Sequence, residues 1–302
     1  FHEAIKCFKD ALDIAGKDIH ILNEIGYCYC VRQVQDYDTA IPYFDQVLDK
    51  DKKNRIALNN LGLCYKEKEK YTIAIEYFKR ASVQGETPSQ SFYADQHLLD
   101  IYYSDINDDN AAFDIANKLI KNGNAKAFAY FVAGSILSTR KKPDDAIPLL
   151  KKSLSLEESS RTYAQLGFCY SEIGRDDLAM LYETKAVDPN LKNYVENEIT
   201  LTNLGIGYKD LKEYETALKY FDRALEVDPD SVDAIYNKLN TLMRMKEFDK
   251  VVSTSTESLD KNSLKMKNED IVDILQMKRD ALFELNRLDD ALECSNEILH
   301  FG

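Results

Sequence analysis

The 302-residue chain has no tryptophan, only six prolines and eleven glycines, and four histidines. So few helix breakers favour regular elements over a loop-rich or disordered chain. No apolar run approaches the ~20 residues that a bilayer-crossing helix needs, so membrane insertion is not expected. Positive charge is also scarce: 39 Lys and Arg stand against 52 Asp and Glu, a formal net charge of −13. An acidic surface repels phosphate backbones, which argues against nucleic acid as a partner.

The usual catalytic signatures are missing as well. His2, His20, His97 and His300 form no H-E-x-x-H pair, lie near no Cys cluster, and are expected at solvated positions. There is no phosphate loop, no G-x-G-x-x-G after a strand and no G-x-S-x-G elbow. In "DINDDNAAFDIA", residues 105–116, acids alternate as in a calcium loop, but Asn110 and Ala116 stand where Gly and Glu are required. Helix capping is the better reading of that stretch. No catalytic residue, metal site or cofactor is expected.

Six cysteines are present. Cys28, Cys64 and Cys169 sit in "GYCY", "GLCY" and "GFCY", always one residue before a tyrosine. They read as small core residues. Cys28 and Cys30 form a lone "CYC" with no second cluster to complete a zinc site. Free, reduced thiols are expected, and with them an intracellular, cytoplasmic location.

What the sequence does contain is self-similarity. "LGLCYKEKEKYTIAIEYFKRA" at 61–81 returns as "LGIGYKDLKEYETALKYFDRA" at 204–224. Leu61, Gly62, Tyr65, Tyr71, Ala74, Phe78 and Ala81 each match a residue 143 positions later. With Glu198 as position 1, Leu201, Leu204, Gly205 and Tyr208 fall at positions 4, 7, 8 and 11, one face of a helix. Tyr214, Ala217, Phe221 and Ala224 fall at 17, 20, 24 and 27, a second face. The polar "KDLKE" between them suits a tight turn, and Asp228-Pro229 ends the unit. The unit is therefore an antiparallel helix pair of 34 residues. Glycine inside a helix costs about 1 kcal/mol against alanine, so Gly26, Gly62, Gly134 and Gly205 point to close helix contact.

This pattern resembles the tetratricopeptide repeat over essentially the whole chain. The resemblance implies an all-α, right-handed superhelix of helix pairs with a concave face lined by first helices. About eight repeats and a half are expected, at 1–18 (half), 19–54, 55–88, 93–126, 127–159, 160–191, 198–231, 232–265 and 272–302, as a single solenoid. In the half repeat Phe1, Ala4, Phe8 and Ala11 hold the register, with no partner helix before them. The unit at 93–126 lacks the glycine, an irregular "LKNYVE" precedes residue 198, and 232–265 carries Val251 and Ser255 in place of a small and an aromatic core residue. That last unit is expected to be a weak point. The chain begins in mid-repeat and ends without a polar capping helix, so a segment of a longer protein is expected.

In the family, positions 2, 5, 6, 9 and 12 face the inner surface. The resemblance then implies a partner groove bearing Asn23, Tyr27, Asn59 and Asn60 at one end, Phe128, Phe131 and Arg161 in the middle, and Asn203, Tyr236 and Asn237 at the other end. His97 and Lys66 fall on the same face. The two-carboxylate clamp that related proteins use for acidic chaperone tails is absent. Asn60 is in place, but Asn23, Tyr27, Ala94 and Leu98 occupy the other clamp positions, and Asp233 or Asp273 blocks the later registers. A noncatalytic scaffold binding a peptide or protein in this groove is expected. The alternatives are a substrate-recruiting or regulatory arm of a larger enzyme and a structural subunit of a multiprotein assembly.

Overall fold

Each run with apolar residues at i, i+3, i+4 and i+7 forms an α-helix. The computed structural model describes residues 2–301 apart from 17, 32, 86, 192, 193, 195, 263 and 264, and gives only the backbone of 262 and 301. Among these residues are seventeen α-helices and no strand. They fall into two compact units, 1–156 and 157–302.

The first unit contains α1 (His2–Ala15) and four helix pairs. These are α2 (Ile19–Cys30) with α3 (Tyr37–Lys50), α4 (Arg55–Glu67) with α5 (Tyr71–Val83), α6 (Pro88–Asp100) with α7 (Asp109–Lys121), and α8 (Ala127–Thr139) with α9 (Pro143–Leu156). The second unit also contains four pairs: α10 (Ser160–Glu172) with α11 (Asp176–Ala186), α12 (Glu198–Asp210) with α13 (Tyr214–Val227), α14 (Val232–Arg244) with α15 (Phe248–Asn262), and α16 (Asn268–Glu284) with α17 (Leu288–Phe301). Phe1 and most of the irregular "LKNYVE" segment lie outside the described residues.

One turn closes every pair. Gln35, Glu69, Asn107, Lys141, Lys212, Lys246 and Asn286 have φ between 51° and 65°, and Gly174 has φ 70°. Each sits two residues before its second helix. The amide that follows donates to a carbonyl near the end of the first helix: Lys70 N to Tyr65 O, Arg175 N to Tyr170 O and Glu213 N to Tyr208 O, all at 2.9 Å. A left-handed residue at this point satisfies the carbonyls that a helix end leaves over. It also reverses the chain sharply enough to bring the two apolar faces together.

Packing inside a pair follows the residues at positions 8 and 24. Phe44, Phe78 and Phe221 are fully buried, and each ring lies where the β-carbon of Gly26, Gly62 or Gly205 would be. Leu150 does the same for Gly134. A second contact repeats beside it. Tyr29 stacks on Tyr43, Tyr65 on Tyr77, Tyr170 on Tyr182 and Tyr208 on Tyr220, with centroids 5.3–6.0 Å apart. Offset stacks of this kind add about 0.5–1.5 kcal/mol beyond area burial.

Three features depart from the regular unit. Helix α6 begins at Pro88, five residues before the start of the expected repeat 93–126, and continues through a π-helical turn, Ile101–Asp105. The Asp108 carboxylate then caps α7 by accepting the Ala111 N–H at 3.0 Å, the capping role expected within 105–116. In α15, Val251 and Ser255 are fully buried. The hydroxyls of Ser253, Ser255, Thr256 and Ser258 turn back onto carbonyls of their own helix at 2.7–3.1 Å. Lastly, Cys28, Cys64 and Cys169 are buried free thiols as expected, but the Cys30 and Cys64 sulfurs also approach to 3.1 Å across neighbouring pairs.

Candidate functional site

The expected groove positions all lie on first helices, yet the structure treats them differently. In the first unit, Asn23 and Asn59 are buried rather than open to a partner, 7% and 6% exposed. Consecutive first helices touch here, α2 with α4 and α4 with α6, and a side chain at position 5 is enclosed. The Oδ1 atoms of both asparagines are buried without a hydrogen-bond partner. Asn60 is half-buried, and Tyr27 stands out at 53% exposure. Phe128 and Phe131 stack with centroids 6.4 Å apart, and Tyr103 meets each edge-on. They are half-buried and pack against the core as much as they face outward.

His97 corrects the expectation of a solvated histidine. It is half-buried, its ring stacks on Phe78 at 4.9 Å, and Tyr93 meets it edge-on at 4.5 Å. Burial pushes its pKa down to about 4, helped by the nearby Lys66 ammonium, so it is neutral at pH 7. Lys66 in turn pairs with Asp100.

In the second unit Arg161 is exposed, and Phe168 and Tyr236 are 41% and 40% exposed. Asn203 donates from Nδ2 to Glu183 Oε1 at 3.3 Å. Asn237 donates to the Asp233 carbonyl at 2.9 Å and accepts from Lys209 Nζ at 2.8 Å. Asn60, Asn203 and Asn237 share a register position, but only Asn60 keeps its amide outside a side-chain hydrogen bond of this kind. The other two are already engaged by neighbours.

Two features of this surface went unrecognised in the sequence. One is the segregation, rather than the presence, of exposed Phe and Tyr side chains: Tyr27, Tyr93, Phe168, Tyr236 and Phe283 lie on α2, α6, α10, α14 and α16, and among the described residues no second helix carries an exposed Phe or Tyr. The other is Glu183, 3% exposed, at the position that Phe78 and Phe221 occupy in their own pairs. Burial raises its pKa to about 7, and the Asn203 hydrogen bond offsets only part of that. The string "YETKA", read beside "YFKRA" and "YFDRA", carried that signal.

No group of three or more His, Cys, Asp or Glu among the described residues is placed to hold a metal ion. No helix among them is long and apolar enough to cross a membrane.

Within each unit, then, the fold is that of an all-α helical-repeat protein, with antiparallel pairs stacked through small-residue contacts. The chain belongs to the tetratricopeptide-repeat family, whose models match residues 199–231 and 32–90. It is 21% identical over 253 residues to anaphase-promoting complex subunit 3 of Schizosaccharomyces pombe, a match covering 83% of this chain and 36% of that protein. It is 26% identical over 237 residues to TPR repeat-containing protein MJ1428 of Methanocaldococcus jannaschii, covering 74% of this chain and 40% of that one. The chain thus spans about two fifths of the length of these two relatives. Among solved structures, pilF of Pseudomonas aeruginosa is similar with a TM-score of 0.56 at 15% identity, covering 72% of this chain and 94% of that one, a likeness of fold.

Proposed function

We propose that this chain is a noncatalytic interaction scaffold whose first-helix face takes up a peptide or protein partner. The observation that carries the reading is the segregation of exposed aromatics. Among the described residues, five Phe and Tyr side chains are 40–53% exposed, and every one is on a first helix. A ring left about half exposed forfeits part of the burial that an inward position would give, out of roughly 1.5–3 kcal/mol for a fully buried Phe-sized side chain. Aromatic anchors are also the residues that most often dominate protein interfaces. In this family the first helices line the concave surface, so the rings are offered where a partner would lie. Asn60 and Arg161 supply polar contacts beside them. The chaperone-tail clamp is not part of this reading, and the acidic surface favours a protein partner over nucleic acid. Six free cysteines, four of them buried, fit a reducing intracellular compartment.

The test is differential capture. Tyr27→Ala with Tyr93→Ala in the first unit, and Phe168→Ala with Tyr236→Ala in the second, are compared with Leu181→Ser and Val227→Ser on second helices, whose side chains are 50% and 41% exposed. Partners that bind the unaltered chain should be lost with the first-helix variants and kept with the second-helix variants. The reverse pattern would favour a structural subunit joined through its other face. That second reading draws support from the likeness to a protein named as a subunit of a complex.

A further inference from the structure

A pocket of about 380 Å³ opens in the second unit between α11 and α12, within the range of ligand-sized clefts. Its walls include the Met180 side chain, Ile206 and Leu211, and its acidic groups are Asp176, Asp210 and Glu183. Gly207 leaves the room that Met180 occupies: a β-carbon there would lie 2.9 Å from the Met180 sulfur. Among the described residues, none of the three carboxylates has an ion-pair partner. Glu183, nearly enclosed, has a single donor among the described residues, Asn203.

A buried carboxyl with no cation among the described residues, where three other pairs bury phenylalanine, is unfavourable for the isolated chain. The apolar walls cannot satisfy it. The three acids do not converge as metal ligands do. An occupant with an aliphatic stem and a positive head matches both halves of the pocket, because long cationic side chains lay their methylenes along apolar surface and keep the charge at the tip. Asn203 already occupies one Glu183 oxygen, which disfavours the two-pronged pairing of a guanidinium and suits the point charge of an ammonium.

We infer that this pocket binds a lysine side chain of a partner segment, with Glu183 as the counter-ion and Met180, Ile206 and Leu211 enclosing the stem. The inference rests on the interaction-scaffold reading and gives that partner a chemistry: an extended segment bearing a lysine, drawn toward a chain of net charge −13. Asn203, expected on the partner face, is a positioning residue that holds the Glu183 carboxyl.

The test uses the whole chain with methyl-labelled methionine. Five methionines give five methyl signals, and Met180→Leu identifies the pocket signal. The probe is acetyl-Gly-Lys-Gly-amide, beside the same peptide with norleucine or arginine in place of lysine. At pH ~8 the lysine peptide should shift the Met180 methyl saturably, and the norleucine peptide should leave it in place. Glu183→Gln should weaken the lysine peptide at least tenfold while keeping the other four methyl signals. On the unaltered chain, apparent affinity should fall about tenfold at pH ~6, where a carboxyl titrating at about 7 is mostly protonated. The titratable groups facing the pocket are Asp176 from α11 and Asp210 from α12, and α10 contributes only Ser171. A Met180 signal that ignores the lysine peptide, follows norleucine equally, prefers arginine, or responds alike with and without the Glu183 charge overturns the inference. A partner that depends on Tyr27 or Tyr236 but not on Glu183 would leave the scaffold reading intact and remove the pocket from it.

Discussion

A β-carbon placed on Gly62 would lie 2.8 Å from Cε1 of Phe78, a ring that is itself fully buried. Real carbon atoms do not approach so closely, so one helix of the pair has to move if Gly62 becomes alanine. Overpacking of this kind costs about 1–3 kcal/mol. Alanine returns about 1 kcal/mol through its higher helix propensity. Gly62→Ala is therefore expected to destabilise the chain by up to roughly 2 kcal/mol in urea unfolding. Phe78→Leu in the Gly62→Ala background should cost less than Phe78→Leu alone, because the two sites couple directly. Strict additivity in that cycle would remove the contact as the cause.

The pair-closing turn gives an independent test of backbone chemistry. Gly174 has φ 70°, and nothing crowds the place where its β-carbon would be. Gly174→Ala should still cost about 1 kcal/mol, since an L-residue is strained in that conformation. Lys246 holds the equivalent turn at φ 60°. Lys246→Gly should be neutral or stabilising by up to ~1 kcal/mol. Thermal midpoints that shift in the same direction for both substitutions would contradict this account.

Glu183, buried, and His97, half-buried, should respond oppositely to acid. Glu183 titrates at about 7 in the folded chain against an ordinary 4.5. Its contribution is therefore fully present below about 4.5 and is lost as pH rises through about 7, to a limit of roughly 3 kcal/mol. His97 titrates at about 4 against an ordinary 6.5, so its contribution is present above about 6.5 and is lost as pH falls through about 4. Glu183→Gln should flatten the first dependence and His97→Gln the second, each measured by urea unfolding across that range. The His97 ring proton should show no titration in NMR above pH ~5.

Helix α15 should open more readily than its counterparts. Ser255 fills a core position with a small polar side chain, and four hydroxyls bond back to their own helix. That back-bonding competes with the regular helix and weakens it slightly. In a repeat array such weakness stays local, because stability is close to a sum of unit and neighbour terms. Amides at 250–262 are expected to exchange faster than those at 60–80. Equal protection of the two segments would show that tertiary packing makes up the whole deficit.

What the sequence determined by itself was the local unit. Apolar spacing specified two helices per repeat, and glycine at position 8 opposite an aromatic at position 24 specified how closely they pack. These are short-range patterns, because each partner lies within one repeat of the other. The tertiary structure alone decided which side chains remain available at the surface. Asn23 and Asn59 fall, like Tyr27, at first-helix positions expected to face a partner, yet neighbouring first helices enclose the asparagines and leave the tyrosine about half exposed. Asn203 and Asn237 lost their freedom to Glu183 and Lys209, which lie in the preceding helix pair or at its boundary. His97 became a neutral core-edge ring because Phe78 of the preceding pair lies flat against it. Exposure and pKa depend on what the next repeat places nearby, and a periodic pattern carries that information only when both repeats are packed together.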